Sequence, residues 1–495
     1  MFEQLALGFS TIFQPDNLIM IFLGTIVGYF IGAMPGLTPS IGIALLIPFT
    51  FTMESVPAMV MLVCLYIAAE YGGGITAILI NAPGTPAAAA TALDGYPMAK
   101  RGEAGKALTI SIIASGWGSL ISSILLVFTA IPIAKAALNF GPAEYFALAV
   151  FGLSLITSLS EGSLVKGILG MCFGLLLITI GMDPVNGVPR FAFTNSLFGG
   201  VPFLPALIGL FAFSEVLFMI ENADDEPAEV QKIKGIGIPF SILKKMKLTL
   251  IRGPIIGYAV GVIPGAGATI ASWISYNEAK RASKEPETFG TGNPEGIAAS
   301  ESANNAAVPG ALAPLLALGI PGSASAAILI GALTIQGLQP GPLLFVKHPE
   351  IPYSIFAALI FAAPMMTILG LFGARVFVKV TLIPTRILAV VVAAITVLGS
   401  YAYSNDMYSV WVMFLGGVVG YVFRKVKIPN TPVVLAMVLG FMMEVNLRRA
   451  LITSGGTPEL LFSRPIALIL LIVSVITLIV PVIKEYKTNK RKAVA

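Results

Sequence analysis

Residues 32–40 read GAMPGLTPS, inside an apolar run that begins near Ile19. A run of that kind can cross about 30 Å of hydrocarbon at about 1.5 Å per helical residue. Proline lacks the amide that a helix uses and clashes with the preceding turn, while glycine accepts backbone angles closed to other residues. Pro35-Gly36 is therefore predicted to interrupt the helix rather than bend it. In lipid, the amides and carbonyls freed by an interruption are costly unless something polar meets them. The break must face protein, a cavity or a ligand.

Composition sets the class. Of 495 residues, 56% are hydrophobic and only 11% charged, with a mean hydropathy of +0.90, too little polar surface to cover a soluble globule. The expectation is an all-α polytopic membrane protein with roughly ten to twelve crossings, including those near Ile19–Met34, Ala107–Ile131, Leu204–Ile220, Ser354–Phe372 and Pro465–Ile483. No removable signal peptide is expected from the first fifteen residues. Cys64 and Cys172 lie in apolar runs without metal-type spacing and read as small buried residues. The single His348 sits in a polar loop, and the net charge of +5 is spread over loops, which removes the case for nucleic acid.

The break recurs. GAMPGLT at 32–38 has a counterpart in GVIPGAG at 261–267, and NAPGTPAAAATALDGYP from Asn81 has one in GIPGSASAAILIGALTIQG from Gly319. FGPAEYFALAVFGLSLIT from Phe140 resembles IPTRILAVVVAAITVLG from Ile383, and an acid stands in an apolar stretch at both Glu215 and Glu444. The separations are 229 residues from Pro35 to Pro264, 238 from Pro83 to Pro321 and 229 from Glu215 to Glu444. Order is kept with one modest insertion. The chain divides into an N-terminal segment 1–14, a membrane repeat 15–222, a linker 223–248, a second repeat 249–450, and a segment 451–495 holding an extra helix and a basic tail.

Lysine and arginine give the orientation. Placing loops 97–106, 158–166, 222–252, 277–297, 375–386, 424–430 and the tail after 483 on the cytoplasmic side puts 24 of the 30 basic residues there, as the positive-inside rule requires. Lys135, Arg190, Lys347, Arg448, Arg449 and Arg464 fall outside, and Arg448 and Arg449 count against the scheme. Equivalent loops of the two halves then lie on opposite sides, so the halves are inverted repeats, a construction used by secondary transporters.

Four breaks in symmetric pairs, at Pro35, Pro83, Pro264 and Pro321, are predicted to bring half-helix ends to one central cavity. Hydroxyls follow them at Thr38, Ser40, Thr85, Thr269, Ser272, Ser323 and Ser325, with Gly36, Gly84, Gly265, Gly267 and Gly322 allowing close backbone approach. Exposed amides at the positive end of a helix suit carboxylate or phosphate oxygens. Asn81, Asn304 and Asn305, with the carbonyls of the Pro-Gly segments, offer the hard oxygens that a sodium ion needs. An anion held by dipoles beside a cation avoids burying an isolated charge. Small residues also serve close helix packing, and Glu215 and Glu444 read equally as ion carriers or as helix-to-helix hydrogen-bonding groups.

GAMPGLTPSIGIALLIPFTF, EYGGGITAILINAPGTPAAAATALDGYPMAKRGEAGKAL, GVIPGAGATIASWISYNEAKR and EGIAASESANNAAVPGALAPLLALGIPGSASAAILIGALTIQGLQPGP, in that order, resemble the large membrane subunit (TctA) of the tripartite tricarboxylate transporter family over nearly the whole chain. The resemblance implies a sodium-coupled importer of organic carboxylates in the bacterial inner membrane, without a bound organic cofactor. It implies two partners, a small membrane subunit (TctB-like) and a periplasmic substrate-binding protein (TctC-like). It also assigns the four Pro-Gly segments and Asn304-Asn305 to the substrate and ion region. Gly74 departs from the serine found in many members.

The mechanism expected is alternating access, with the broken segments moving in an elevator-like way against a scaffold of unbroken helices, or with one half rocking against the other, and the C-terminus is expected to be cytoplasmic. No GxxxxGK[ST] stretch is present, so an ATP-driven pump is unsupported. Proton coupling is the alternative to sodium, and an anion channel is the more distant one, since inverted halves do not surround a pore axis. An intramembrane enzyme would need a histidine or paired carboxylates beside a nucleophile, and the one His lies in a loop.

Overall fold

The structure is a computed structural model describing residues 2–159, 163–222, 231, 233, 235, 237, 240–380 and 382–494, with side chains of 156–159, 240, 378, 380 and 481–494 left aside. Most of the expected linker at 223–248, and the side chains of the basic tail, thus lie outside the described residues.

The described residues are helical almost throughout, with one two-residue strand pair among them. After α1 (Phe2–Ile12), the helices run α2 (Pro15–Ala33), α3 (Pro39–Leu46), α4 (Ser55–Ile80), α5 (Ala89–Met98), α6 (Ala104–Ala137), α7 (Pro142–Leu159) and α8 (Leu164–Ile178). The strands β1 (Gly181–Met182) and β2 (Pro189–Arg190) form a small hairpin before α9 (Phe203–Leu207) and α10 (Ser214–Glu221), which one π-helical turn joins. The second series is α11 (Phe240–Lys245), α12 (Lys247–Gly261), α13 (Gly267–Ala282), α14 (Pro294–Leu318), α15 (Ala324–Ile335), α16 (Pro342–Lys347), α17 (Glu350–Val380), α18 (Thr385–Ser404), α19 (Met407–Lys425) and α20 (Asn430–Thr453). The short α21 (Glu459–Ser463) and the long α22 (Pro465–Val494) follow. Among the described residues, eight helical stretches are long and apolar enough to cross a membrane and five shorter apolar helices accompany them. The fold is that of an all-α polytopic membrane protein.

All four Pro-Gly segments are breaks. α2 stops at Ala33 and Gly36 takes φ 87°; α12 stops at Gly261 and Gly265 takes φ 82°. α4 and α14 end on equivalent left-handed residues, Asn81 at φ 55° and Gly319 at φ 75°, 238 positions apart. Only glycine, and less readily asparagine, takes that conformation cheaply.

Glycine spacing explains how the helices pack. Gly24, Gly28 and Gly32 line one face of α2, where added Cβ atoms would press on Met61, Leu65 and Ala69 of α4. Gly253, Gly257 and Gly261 line α12 and meet Ser302, Ala303 and Ala307 of α14 in the same way. The glycines are again 229 positions apart, and Leu65 and Ala303 are 238 apart. Backbones approach closely along these seams because dispersion contacts, rather than the hydrophobic effect, hold helices together in lipid. Each long broken helix then crosses to the other series: α4 packs on α17, and α14 on α6. α4 is the centre of the molecule, with 94% of its apolar window buried, whereas for α19 the figure is 22%.

Contacts at the loops respect the division drawn from charge. Arg101 donates to the carbonyls of Thr291 (2.7 Å) and Gly292 (2.9 Å), and Lys166 to that of Val426 (2.6 Å), all within the loops placed together. At the other end Arg190 pairs with Glu444 at 2.5 Å, and Arg448 with Asp183 at 2.7 Å and Glu444 at 2.9 Å. Arg448 thus shares two acids with Arg190. Cys64 is buried as expected, but Cys172 is exposed on α8, because it sits on the face of that helix turned away from the bundle.

Candidate functional site

The four breaks meet. Within the first series the amide of Gly84 donates to the carbonyl of Gly73 at 3.2 Å, and a Cβ on Gly84 would press on the carbonyl of Gly32. Within the second, the amide of Gly265 donates to the carbonyl of Gly322 at 3.0 Å. Contacts between helix starts join the series. Ser40 and Ser325 share a hydrogen bond of 2.9 Å, and Ser272 donates to the carbonyl of Ala87 at 2.9 Å. Each contact joins a helix start of one series to the non-equivalent helix start of the other: α3, after the first break, with α15, after the fourth, and the turn at Pro86–Ala88, after the second, with α13, after the third.

The local sequence makes those helix starts. Thr38, Thr85 and Ser323 are N-caps whose hydroxyls accept from the amides of Ile41 (3.4 Å), Ala88 (3.3 Å) and Ala326 (3.1 Å). Such caps satisfy one of the free amides at a helix start and leave others unused. The amides of Ser40 and Ser325, in the first turns of α3 and α15, have no partner among the described residues. Ser40 and Ser325 are 6% and 5% exposed, so two positive helix ends face each other away from solvent. Tyr66 of α4 reaches the same place, its hydroxyl 2.8 Å from that of Ser323, and Gly267 lies open toward Ser323.

Other expected site residues do different work. Gly84 and Gly322 are filled by neighbouring backbone, the Cα of Gly73 at 2.9 Å and of Ala311 at 2.6 Å from an added Cβ, so they close packing rather than admit a ligand. Gly36 lies against the carboxylate of Glu215. Pro35 is exposed, Pro83 half-buried, and Pro264 and Pro321 buried; Thr269 is half-buried beyond the start of α13. Asn81 is exposed and serves through its backbone, and no hydrogen bond among the described residues joins it to Asn304 or Asn305. Glu215 pairs with Arg424, and Glu444 with Arg190 and Arg448, so in this conformation Glu215 links α10 to α19 and Glu444 links α20 to the β1–β2 hairpin.

Asn304 and Asn305 are fully buried on α14. Asn304 donates to the carbonyl of Glu70 at 3.2 Å, and Asn305 to the carbonyl of Ile67 at 2.9 Å and the hydroxyl of Ser119 at 3.3 Å. Both side-chain oxygens lack a partner among the described residues, an uncommon state for buried polar atoms. Sequence reasoning missed the acids around them. Glu301 is fully buried, and Glu70 is 6% exposed. Asp94 is fully buried and accepts from Tyr276 and from the amides of Gly290, Gly292 and Asn293 at 2.7–2.8 Å. The signal was available, since an acid inside an apolar helix is expensive and marks function or a partner. A cleft of about 630 Å³ lies at this same end between α11, α12, α13 and α14, lined by Lys245, Arg252, Glu278 and Glu295; no residue of the breaks lines it.

A multi-pass helical protein whose interrupted helices meet at buried, amide-rich points has the construction of a secondary transporter. The profile of the Tripartite tricarboxylate transporter TctA family matches residues 18–435, and the chain belongs to that family. It is therefore a transporter subunit and not an enzyme. It is similar to a protein of Agrobacterium vitis described as an uncharacterized 52.8 kDa protein in the TAR-I ttuC' 3' region, 36% identical over 491 residues, 99% of this chain and 98% of the relative. A second protein of that organism, described as an uncharacterized protein in the TAR-II ttuC' 3' region, is 37% identical over 234 residues, 47% of this chain and 97% of the relative. No solved structure matches the chain.

Proposed function

We propose that the protein imports organic carboxylates across the bacterial inner membrane, drawing on a sodium gradient. It receives them from a periplasmic binding protein and works with a small membrane subunit. The observation that carries the reading is the meeting of α3 and α15 at Ser40 and Ser325, where two helix starts aim unused amides and dipoles at one place. A carboxylate suits such a place, because it accepts from amides and hydroxyls and its charge is favoured at the positive ends of helices. The matched glycine seams and the exchange of partners between series support inverted repeats over 15–222 and 249–450, and alternating access by movement of the broken segments. The tail after 483 is cytoplasmic in this reading.

Uptake of labelled tri- and dicarboxylates into proteoliposomes tests it, with and without the binding protein. Uptake that follows an inward sodium gradient and falls in Asn304→Ala supports the proposal. Equal uptake with potassium replacing sodium, in wild type and Asn304→Ala alike, contradicts sodium coupling.

A further inference from the structure

We propose that Glu301, with Thr91 and Ser115, is the site that binds one sodium ion, and that α5 transmits its occupancy to the break at Pro83. The inference rests on the sodium-coupled reading and names residues for it. Glu301 lies where α14 packs against α4, α5 and α6. One of its oxygens accepts from Thr91 at 2.6 Å and the other from Ser115 at 2.8 Å. No Lys, Arg or His among the described residues forms an ion pair with it. Its charge is felt by Glu70 and Tyr71 of α4, while α5 and α6 face it with the hydroxyls of Thr91 and Ser115. An ionised carboxylate so placed needs a counter-charge, which no described residue supplies.

The orphaned amide oxygens are the second observation. Asn304 and Asn305 follow Glu301 by about one helical turn, and their nitrogens are fixed on α4 carbonyls and on Ser119, itself one turn beyond Ser115. Both oxygens are thus held in the same seam with nothing to accept from. A proton would neutralise Glu301 and leave these oxygens as they are. A small hard cation takes several oxygens at once, and carboxylate, hydroxyl and amide oxygens are its preferred ligands. Gly74 keeps the face of the carboxylate open, because a Cβ there would stand 2.7 Å and 3.2 Å from its two oxygens.

The same contacts tie the ion to the anion. Thr91 is six residues beyond Thr85, the N-cap that follows the second break, and Ser300 holds Thr91 at 2.9 Å. Moving Thr91 to suit an occupied or an empty Glu301 moves the helix start that Thr85 shapes.

The test uses the full chain in detergent, with thermal unfolding in sodium chloride against potassium chloride at equal ionic strength and equilibrium binding of radioactive sodium. Wild type is expected to unfold at a higher temperature in sodium and to bind it. Glu301→Gln, which keeps shape and removes charge, abolishes both effects; Thr91→Val weakens binding about tenfold or more, as loss of a hydrogen bond to a charged group implies. Glu350→Gln, on the surface, leaves both unchanged. Absence of a sodium-specific effect in wild type, or wild-type binding by Glu301→Gln, overturns the site. Carboxylate uptake driven by a proton gradient without sodium would overturn the ion site and leave carboxylate transport standing; no carboxylate uptake under any gradient would overturn the functional reading itself.

Discussion

Alanine at Gly28 and at Gly257 probes the two seams on which the fold depends. In an ordinary exposed helix, replacing glycine by alanine stabilises by about 1 kcal/mol. Here the added methyl at Gly28 would stand 2.8 Å from the Cβ of Ala68 and 2.5 Å from the carbonyl oxygen of Leu65, and at Gly257 2.8 Å from the Cβ of Ala306 and 2.7 Å from the Cα of Ala303. Carbon atoms in contact prefer about 3.5–4.0 Å, so the helices must part by up to about 1 Å. Overpacking of that kind costs about 1–3 kcal/mol, and main-chain atoms, which cannot turn aside, place it toward the upper end. The helical gain offsets part of this, leaving a net loss of about 1–2 kcal/mol at each site. Thermal unfolding in one detergent should show both variants below wild type by similar amounts. A rise in either midpoint would refute the close seam there, and a loss at Gly28 alone would refute the equivalence of the two series.

Arg424→Gln leaves the largely buried Glu215 without its cation and is expected to cost about 1–3 kcal/mol of stability, reduced because Arg424 itself is half exposed; adding Glu215→Gln should recover part of that loss, and a double variant less stable than Arg424→Gln alone would contradict the pairing. Asp183 gives a pH test. The amides of Asn186 and Val185, and then Arg448, hold its carboxyl down at about 2 against an ordinary value of 3.8. A lowered value in the folded protein contributes stability above about 4 that is lost as pH falls through about 2. Asp183→Asn should therefore be less stable than wild type at neutral pH, with the gap closing between about pH 4 and pH 2; a gap independent of pH would show that the charge of Asp183 plays no part.

The breaks were legible because proline and glycine act through the backbone, which no tertiary context restores: Pro35-Gly36, Pro83-Gly84, Pro264-Gly265 and Pro321-Gly322 all end helices. Spacing alone suggested a pairing of halves, and Gly28 with Gly257, each packed against the next long helix, repeats the spacing of Pro35 and Pro264. Side-chain roles were harder to read. α4 and α14 are buried on every side, so no polar stripe marks which way Glu70 or Glu301 points. Glu301 finds Thr91 and Ser115 from helices about 200 positions earlier, a pairing that no local pattern encodes. Asn81 misled because its side chain suggested a ligand while its left-handed backbone, matching Gly319, was the reason for its place. The partners of Arg448, Asp183 and Glu444, were not legible either, because Asp183 comes from a hairpin 265 positions earlier.

The central claim is that the helix starts after the first and fourth breaks meet where the passenger is held. Cysteines at positions 40 and 325, in a chain with Cys64 and Cys172 replaced by alanine, test it most directly, since the two native hydroxyls are 2.9 Å apart. Mild oxidation should join the pair within one chain and stop carboxylate uptake, and a reductant should restore it. No cross-link, or full uptake by cross-linked protein, would contradict the account.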